Sequence, residues 1–173
     1  MAGHFDIYDE LFREAHKLGI KIAWNPGSAE LSHPEKVRAL LPDVEVLSLN
    51  KEESQRLVEG ETIDILARKL KSFVPVVLVT DGTNGSIAID KTSVVNAGLY
   101  APDAKRIDAT GAGDAFASGF VAKFATGHNL RDSIHFASAN SASVVLKIGA
   151  KPGILSGNEQ LRSMKIDVKP ANY

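Results

Sequence analysis

Residues 106–116 (Arg-Ile-Asp-Ala-Thr-Gly-Ala-Gly-Asp-Ala-Phe) hold the side chains and spacing best suited to chemistry. The stretch reads as an extended segment, a turn at Gly111 and Gly113, and a helix opening on Asp114. Glycine there permits a backbone conformation and a closeness of approach that a side chain would block. The first N–H groups of the helix lack intrahelical partners and, with the positive end of the helix dipole, favour an anion. Asp114 is the odd member, because a carboxylate repels an anion. It is either a helix cap or first-turn acid, or a base held beside a phosphate for phosphoryl transfer.

The elements that position this stretch follow from periodicity and turn chemistry. A helix is expected over residues 6–18, with Ile7, Leu11, Ala15 and Leu18 on one face and Gly19 as its stop. Strands are expected over 20–25, 44–49 and 76–80, the last with the continuous apolar character of a buried parallel strand. Between them lie a helix over 33–41 led by Ser32 and a helix from Asn50 to Gly60. A third helix, over 63–73, is capped by Thr62. A turn at 81–85 feeds a hairpin of 86–90 and 93–96, and extended pieces at 99–101 and 106–107 lead to the opening stretch. Helices over 115–125 and 130–146, a loop at 149–153, a weak helix over 158–163 and a loose polar tail to Tyr173 complete the reading.

Strands alternating with helices, followed by a hairpin, imply an α/β fold: three layers, Rossmann-like, with a mainly parallel sheet and helices on both faces. Ligands in such folds bind at the carboxyl ends of the strands. That rim gathers loops 25–28, 50–53, 80–85 and 108–114, which are also rich in Gly, Asn, Asp and Thr.

The 173-residue chain is sized for one domain, and its net charge of −1 gives no basic excess for nucleic acid. It has no cysteine, which suits a cytoplasmic location. No apolar run approaches the ~18 residues of a membrane span, and no signal-peptide pattern opens the chain. Met1-Ala2-Gly3-His4 reads as an added start. The five His are scattered without metal-ligand pairing, and Trp24, Phe116, Phe120 and Phe124 read as core.

With the four loops assembled, the chain resembles the C-terminal portion of a ribokinase-like (PfkB-type) carbohydrate kinase. Residues 108–114 match that family's Asp-x-Thr-Gly-Ala-Gly-Asp signature, and Asn50-Lys51-Glu52-Glu53 its Asn-x-x-Glu motif. Residues 79–85 resemble its Thr-x-Gly-x-x-Gly nucleotide loop, and 136–142 with Gly149-Ala150 its adenine-flanking helix and loop. The resemblance implies ATP-dependent phosphoryl transfer to a hydroxyl of a sugar or nucleoside-like small molecule. Asp114 would be the general base, and the backbone amides of Gly111, Ala112 and Gly113 the anion hole. Asn50 and Glu53 would act on Mg²⁺ and phosphate through waters. Thr80, Gly82 and Gly85 would line the nucleotide, with Ser138 or Asn140 beside the adenine. Carbonyls near Asp108, Thr110 and Gly149 are the candidate site for a monovalent cation such as K⁺.

Each motif also has an ordinary structural reading. Asn50 with Glu53 makes a helix start, residues 80–85 make a turn into a hairpin, and the Ala-rich run 137–142 suits close helix packing. Set beside the family, the chain departs in one respect: the N-terminal part, with the first strands, the small β lid and most sugar-binding residues, is missing. A catalytically inactive nucleotide-binding or assembly module is therefore the alternative, with self-association or a partner completing the sheet.

Overall fold

The computed structural model describes residues 5–171; Met1 to His4, read as an added start, and Asn172-Tyr173 lie outside the described residues. Six strands form one sheet in the order β1-β2-β3-β4-β5-β6, namely Ile22–Trp24, Val44–Asn50, Val76–Thr80, Ser86–Ile89, Ser93–Ala97 and Ile166–Pro170. Strands β1, β2 and β3 are parallel, as βαβ connections require. The pairings β3-β4, β4-β5 and β5-β6 are antiparallel, so the sheet is mixed, with two parallel and three antiparallel pairings. The balance is tipped by β6, which lies in the tail expected to be loose.

Among the described residues seven α-helices accompany the strands. They are α1 (Phe5–Lys17), α2 (Ser28–Leu31), α3 (Pro34–Leu40), α4 (Lys51–Leu57), α5 (Ile63–Leu70), α6 (Ala112–Ala125) and α7 (Leu130–Val144). Alternate strand residues feed two separate cores. Leu47, Leu49, Val77, Val79, Ile87 and Ile89 point to the face covered by α1, α3 and α5. Val46, Val76, Leu78, Ala88 and Val95 point to the other, against Phe116 and Phe120 of α6 and Ile134 and Ala137 of α7. A strand buried on both faces needs apolar residues at every step, which is why β3 reads as an unbroken apolar run. Among the described residues no helix is long and apolar enough to cross a membrane.

Four expectations change. Helix α1 seats Phe5 and Phe12, with Tyr8 between them, around Trp24, with ring centroids 5.2 Å apart for Phe12–Trp24. The face bearing Ile7, Leu11 and Leu18 is exposed instead, because aromatic rings bury more area than aliphatic side chains of similar spacing. The helix led by Ser32 begins after His33; Ser32 Oγ donates to Ala29 O and belongs to the end of the short, unanticipated α2. Residues 158–163 are not helical. Residues 99–101 and 106–107 form no strand, and Ala101 takes φ 48°.

Candidate functional site

Strands β2 and β3 end together. Asn50 and Thr80 are paired in register, so both side chains reach the sheet's carboxyl edge side by side. Asn50 Oδ1 accepts from Glu53 N at 2.8 Å, and Glu53 Oε2 accepts from Asn50 N at 2.8 Å. This capping box locks both rotamers at the start of α4. It leaves Glu53 Oε1 without a hydrogen bond among the described residues. Asn25, just beyond β1, donates through Nδ2 to Ser48 O at 2.6 Å. Lys51 Nζ lies 3.9 Å from Asp81 Oδ2, tying the α4 start to the turn after β3.

Gly111 adopts φ +77°, and a Cβ there would fall 2.6 Å from Ala150 Cβ. Only glycine meets both demands. Ala115 N donates to Gly111 O at 2.9 Å, which begins α6 and leaves the earlier N–H groups to the site. One of the three expected anion-hole amides is diverted: Ala112 N donates to Ala109 O at 3.2 Å. The N–H groups of Gly111 and Gly113 have no partner among the described residues. Asp114 follows in the first turn of α6, exposed, and among the described residues its carboxylate makes neither a hydrogen bond nor an ion pair.

The turn is pinned from below by Asp108. Its Oδ1 accepts from Thr110 N and its Oδ2 from Gly149 N, both at 2.9 Å. Hydrogen bonds from the Thr110 side chain, then from the N–H groups of Gly149 and Thr110, hold the Asp108 carboxyl at about 2. Asp108, Thr110 and Gly149 are thereby brought to one junction.

Two hollows meet at this rim. A polar pocket of about 180 Å³ is lined by Asn25, Asn50, Glu53, Thr80, Gly113 and Asp114, among others. A larger cleft of about 320 Å³ runs between the 80–86 turn, segment 98–106 and the flank of α7. Its walls combine small residues such as Gly82, Gly85, Ala112 and Ser138 with the larger Tyr100 and Phe116. Thr80 and Gly113 line both hollows. Sequence reasoning thus assembles Asn50, Glu53, Thr80, Gly82, Gly85, Gly113 and Asp114 on one continuous surface.

Asn140 is not part of that surface. Two residues beyond Ser138 on an α-helix, it points some 200° away. It is 2% exposed, with Nδ2 donating to Ala115 O at 2.7 Å and Oδ1 accepting from Leu155 N at 2.8 Å. Its side chain fastens α7 to α6 and to the following loop. Ser138 lines the cleft, but its hydroxyl donates back to Ile134 O at 2.8 Å. Tyr100 and Arg106 also line the cleft, outside the set of residues expected there. Arg106 opens the signature stretch, and its position there was the available signal. Among the described residues no group of three His, Cys, Asp or Glu could cage a metal ion.

The profile of pfkB family carbohydrate kinases matches residues 6–156. The chain belongs to that family. A pfkB-type relative, the ribokinase of Schizosaccharomyces pombe, is 32% identical over 147 residues, covering 82% of this chain and 46% of the relative. The adenosine kinase of Sinorhizobium meliloti superposes with TM-score 0.77 at 24% identity, covering 85% of this chain and 46% of that one. Arabidopsis thaliana ribokinase, solved with ribose and ATP, gives TM-score 0.73 at 24% identity, covering 87% and 49%. At these identities the structures share the pfkB fold with this chain. The chain spans about half the length of the curated relatives it matches.

Proposed function

We propose that residues 1–173 form the nucleotide-binding and catalytic portion of a kinase domain that transfers the γ-phosphoryl group of ATP to a hydroxyl of a sugar or nucleoside-like molecule. The observation that carries the reading is the unpartnered Asp114 carboxylate in the polar pocket, one residue from the Gly113 waist shared with the cleft. The base and ribose occupy the cleft, and the phosphates pass the waist formed by Thr80 and Gly113. Asp114 accepts the acceptor's hydroxyl proton as that oxygen bonds to the γ-phosphorus, while the bond from phosphorus to the β–γ bridging oxygen breaks and ADP leaves. The free N–H groups of Gly111 and Gly113, with the α6 dipole, stabilise charge on the transferring group.

Glu53 Oε1 suits Mg²⁺, which takes one or two carboxylates and keeps several waters. Asn50 would act through one of those waters. When bound, the ion offsets the charge of the phosphates. A monovalent cation is proposed at the Asp108, Thr110 and Gly149 junction from the resemblance alone.

A second reading, a nucleotide-binding or assembly module without turnover, is favoured by one feature. Ile7, Leu11, Leu18 and Ile20 are exposed, and β1 is an end strand of the sheet, apolar surface and an open edge of the kind a second polypeptide covers.

The test is ligand-dependent melting with ADP–Mg²⁺. Nucleotide at a hundred times its Kd should add about 2.7 kcal/mol, a rise on the order of 5–10 °C for a domain of this size. No shift at millimolar nucleotide would overturn both readings. Phosphotransfer against a sugar and nucleoside panel then separates them.

A further inference from the structure

The two hollows differ in charge in a way the phosphate chain of a nucleotide must feel. Glu53 and Asp114 line the polar pocket, and among the described residues no cationic side chain lines it. Lys51, near the rim, faces Asp81. Among the residues lining the cleft, Arg106 is the one charged side chain. It is exposed, and among the described residues it has neither an ion pair nor a hydrogen bond. Its backbone is well anchored: Ile107 N donates to Val145 O at 2.7 Å, and Asp108 is held at the 149 loop. Ala101, Ala104 and Ala109, also in the wall, leave its guanidinium room to swing across the opening.

The helix dipole supplies only about half a charge, and the Mg²⁺ proposed at Glu53 would act from the pocket side, so the cleft side of a di- or triphosphate still needs a counter-charge. A guanidinium binds phosphate oxygens through two parallel N–H donors. We infer that Arg106 grips the phosphate chain of the nucleotide from the cleft side and so sets the position of the donor. The inference rests on the cleft being the nucleotide site.

Calorimetry of the full chain with ADP, AMP and adenosine, at low and high salt, provides the test for wild type, Arg106→Ala and Arg106→Lys. Arg106→Ala should weaken ADP about 10- to 100-fold, the range of a charged bidentate contact. AMP should lose less, and adenosine should stay within about twofold. Arg106→Lys should recover part of the ADP loss. The salt sensitivity of ADP binding should shrink in Arg106→Ala, as one charge pair is removed, with no change in melting temperature. Unchanged ADP affinity overturns the inference, and so does an equal loss for all three ligands, which would place the guanidinium on the base or ribose. Failure of the wild type to bind ADP or adenosine removes the nucleotide reading of the cleft and this inference with it.

Discussion

The cleft and the polar pocket share Thr80 and Gly113, yet they are built by different means. The cleft wall is mostly apolar, small residues set among Leu99, Tyr100, Phe116 and Val145, and among the described residues Arg106 is its single charge. The pocket is narrower and holds its character in named polar groups, each aimed by a strand end or a helix cap. On the proposed function, affinity in the first would come from contact area and the Arg106 charge, whereas reactivity in the second would come from the state of individual atoms. Substitutions on the two sides of the waist should therefore separate binding from chemistry.

The largest effect is expected from Asp114→Asn. Phosphoryl transfer should fall roughly 10²- to 10⁴-fold, the range for loss of a general base, while ADP affinity stays within about twofold. If ADP binding falls in parallel, the division at the waist is wrong.

Next comes Gly85→Ala, which acts on the fold. Gly85 has φ +99° and an added methyl would meet the carbonyl of Ala97. A cost of roughly 2–4 kcal/mol in denaturant unfolding is expected from strain plus collision. Gly113→Ala gives the contrast, since a Cβ there meets open space. Stability should hold or rise by about 0.5–1 kcal/mol, with nucleotide affinity reduced because the methyl enters the waist. Equal stability losses in the two variants would remove the contrast.

Asn140→Ala tests a residue placed outside both hollows. It strands Leu155 N and removes one of the donors to Ala115 O, at a cost of roughly 1–3 kcal/mol. ADP affinity measured well below the melting temperature should be unchanged.

The smallest effect is a pH dependence. Asp108 is held at about 2 against an ordinary 3.8, so the unfolded chain binds its proton more readily. Its contribution is fully present above the ordinary value and disappears as pH falls toward 2. The melting temperature of Asp108→Asn should lie below wild type at pH 6, and the gap should narrow between pH 4 and 2. A gap that is constant across this range would show that the carboxylate is not what holds the junction.

Much of this was readable from residue order alone, and the exceptions have physical reasons. The first three strands, the hairpin and the caps at Asn50 and Thr62 follow from local patterns that the structure keeps. Strand β6 looks like tail because Asp167 and Lys169 break its apolar pattern, Pro170 ends it, and four of its five residues are exposed at the sheet edge. Asn140 was drawn toward the cleft because order along α7 does not say which side faces α6. The face of α1 was misjudged because its aromatic residues, not its aliphatic ones, meet Trp24. The anion-hole amides were named as a set of three, and only the turn's own hydrogen bonding removed Ala112 from it.

The connection over residues 145–165 has no helix or strand, yet it is fastened at intervals. Gly149 is held by Asp108, Leu155 by Asn140, Gly157 by Lys123, Arg162 by Tyr100 and His135, and Lys165 by Gly98. In polymer terms it is a string of short loops. Cutting one tie merges two neighbours and doubles a loop length, which changes closure entropy by only about 0.6 kcal/mol. Amide exchange along it should therefore be stepwise, each interval opening with its own protection factor.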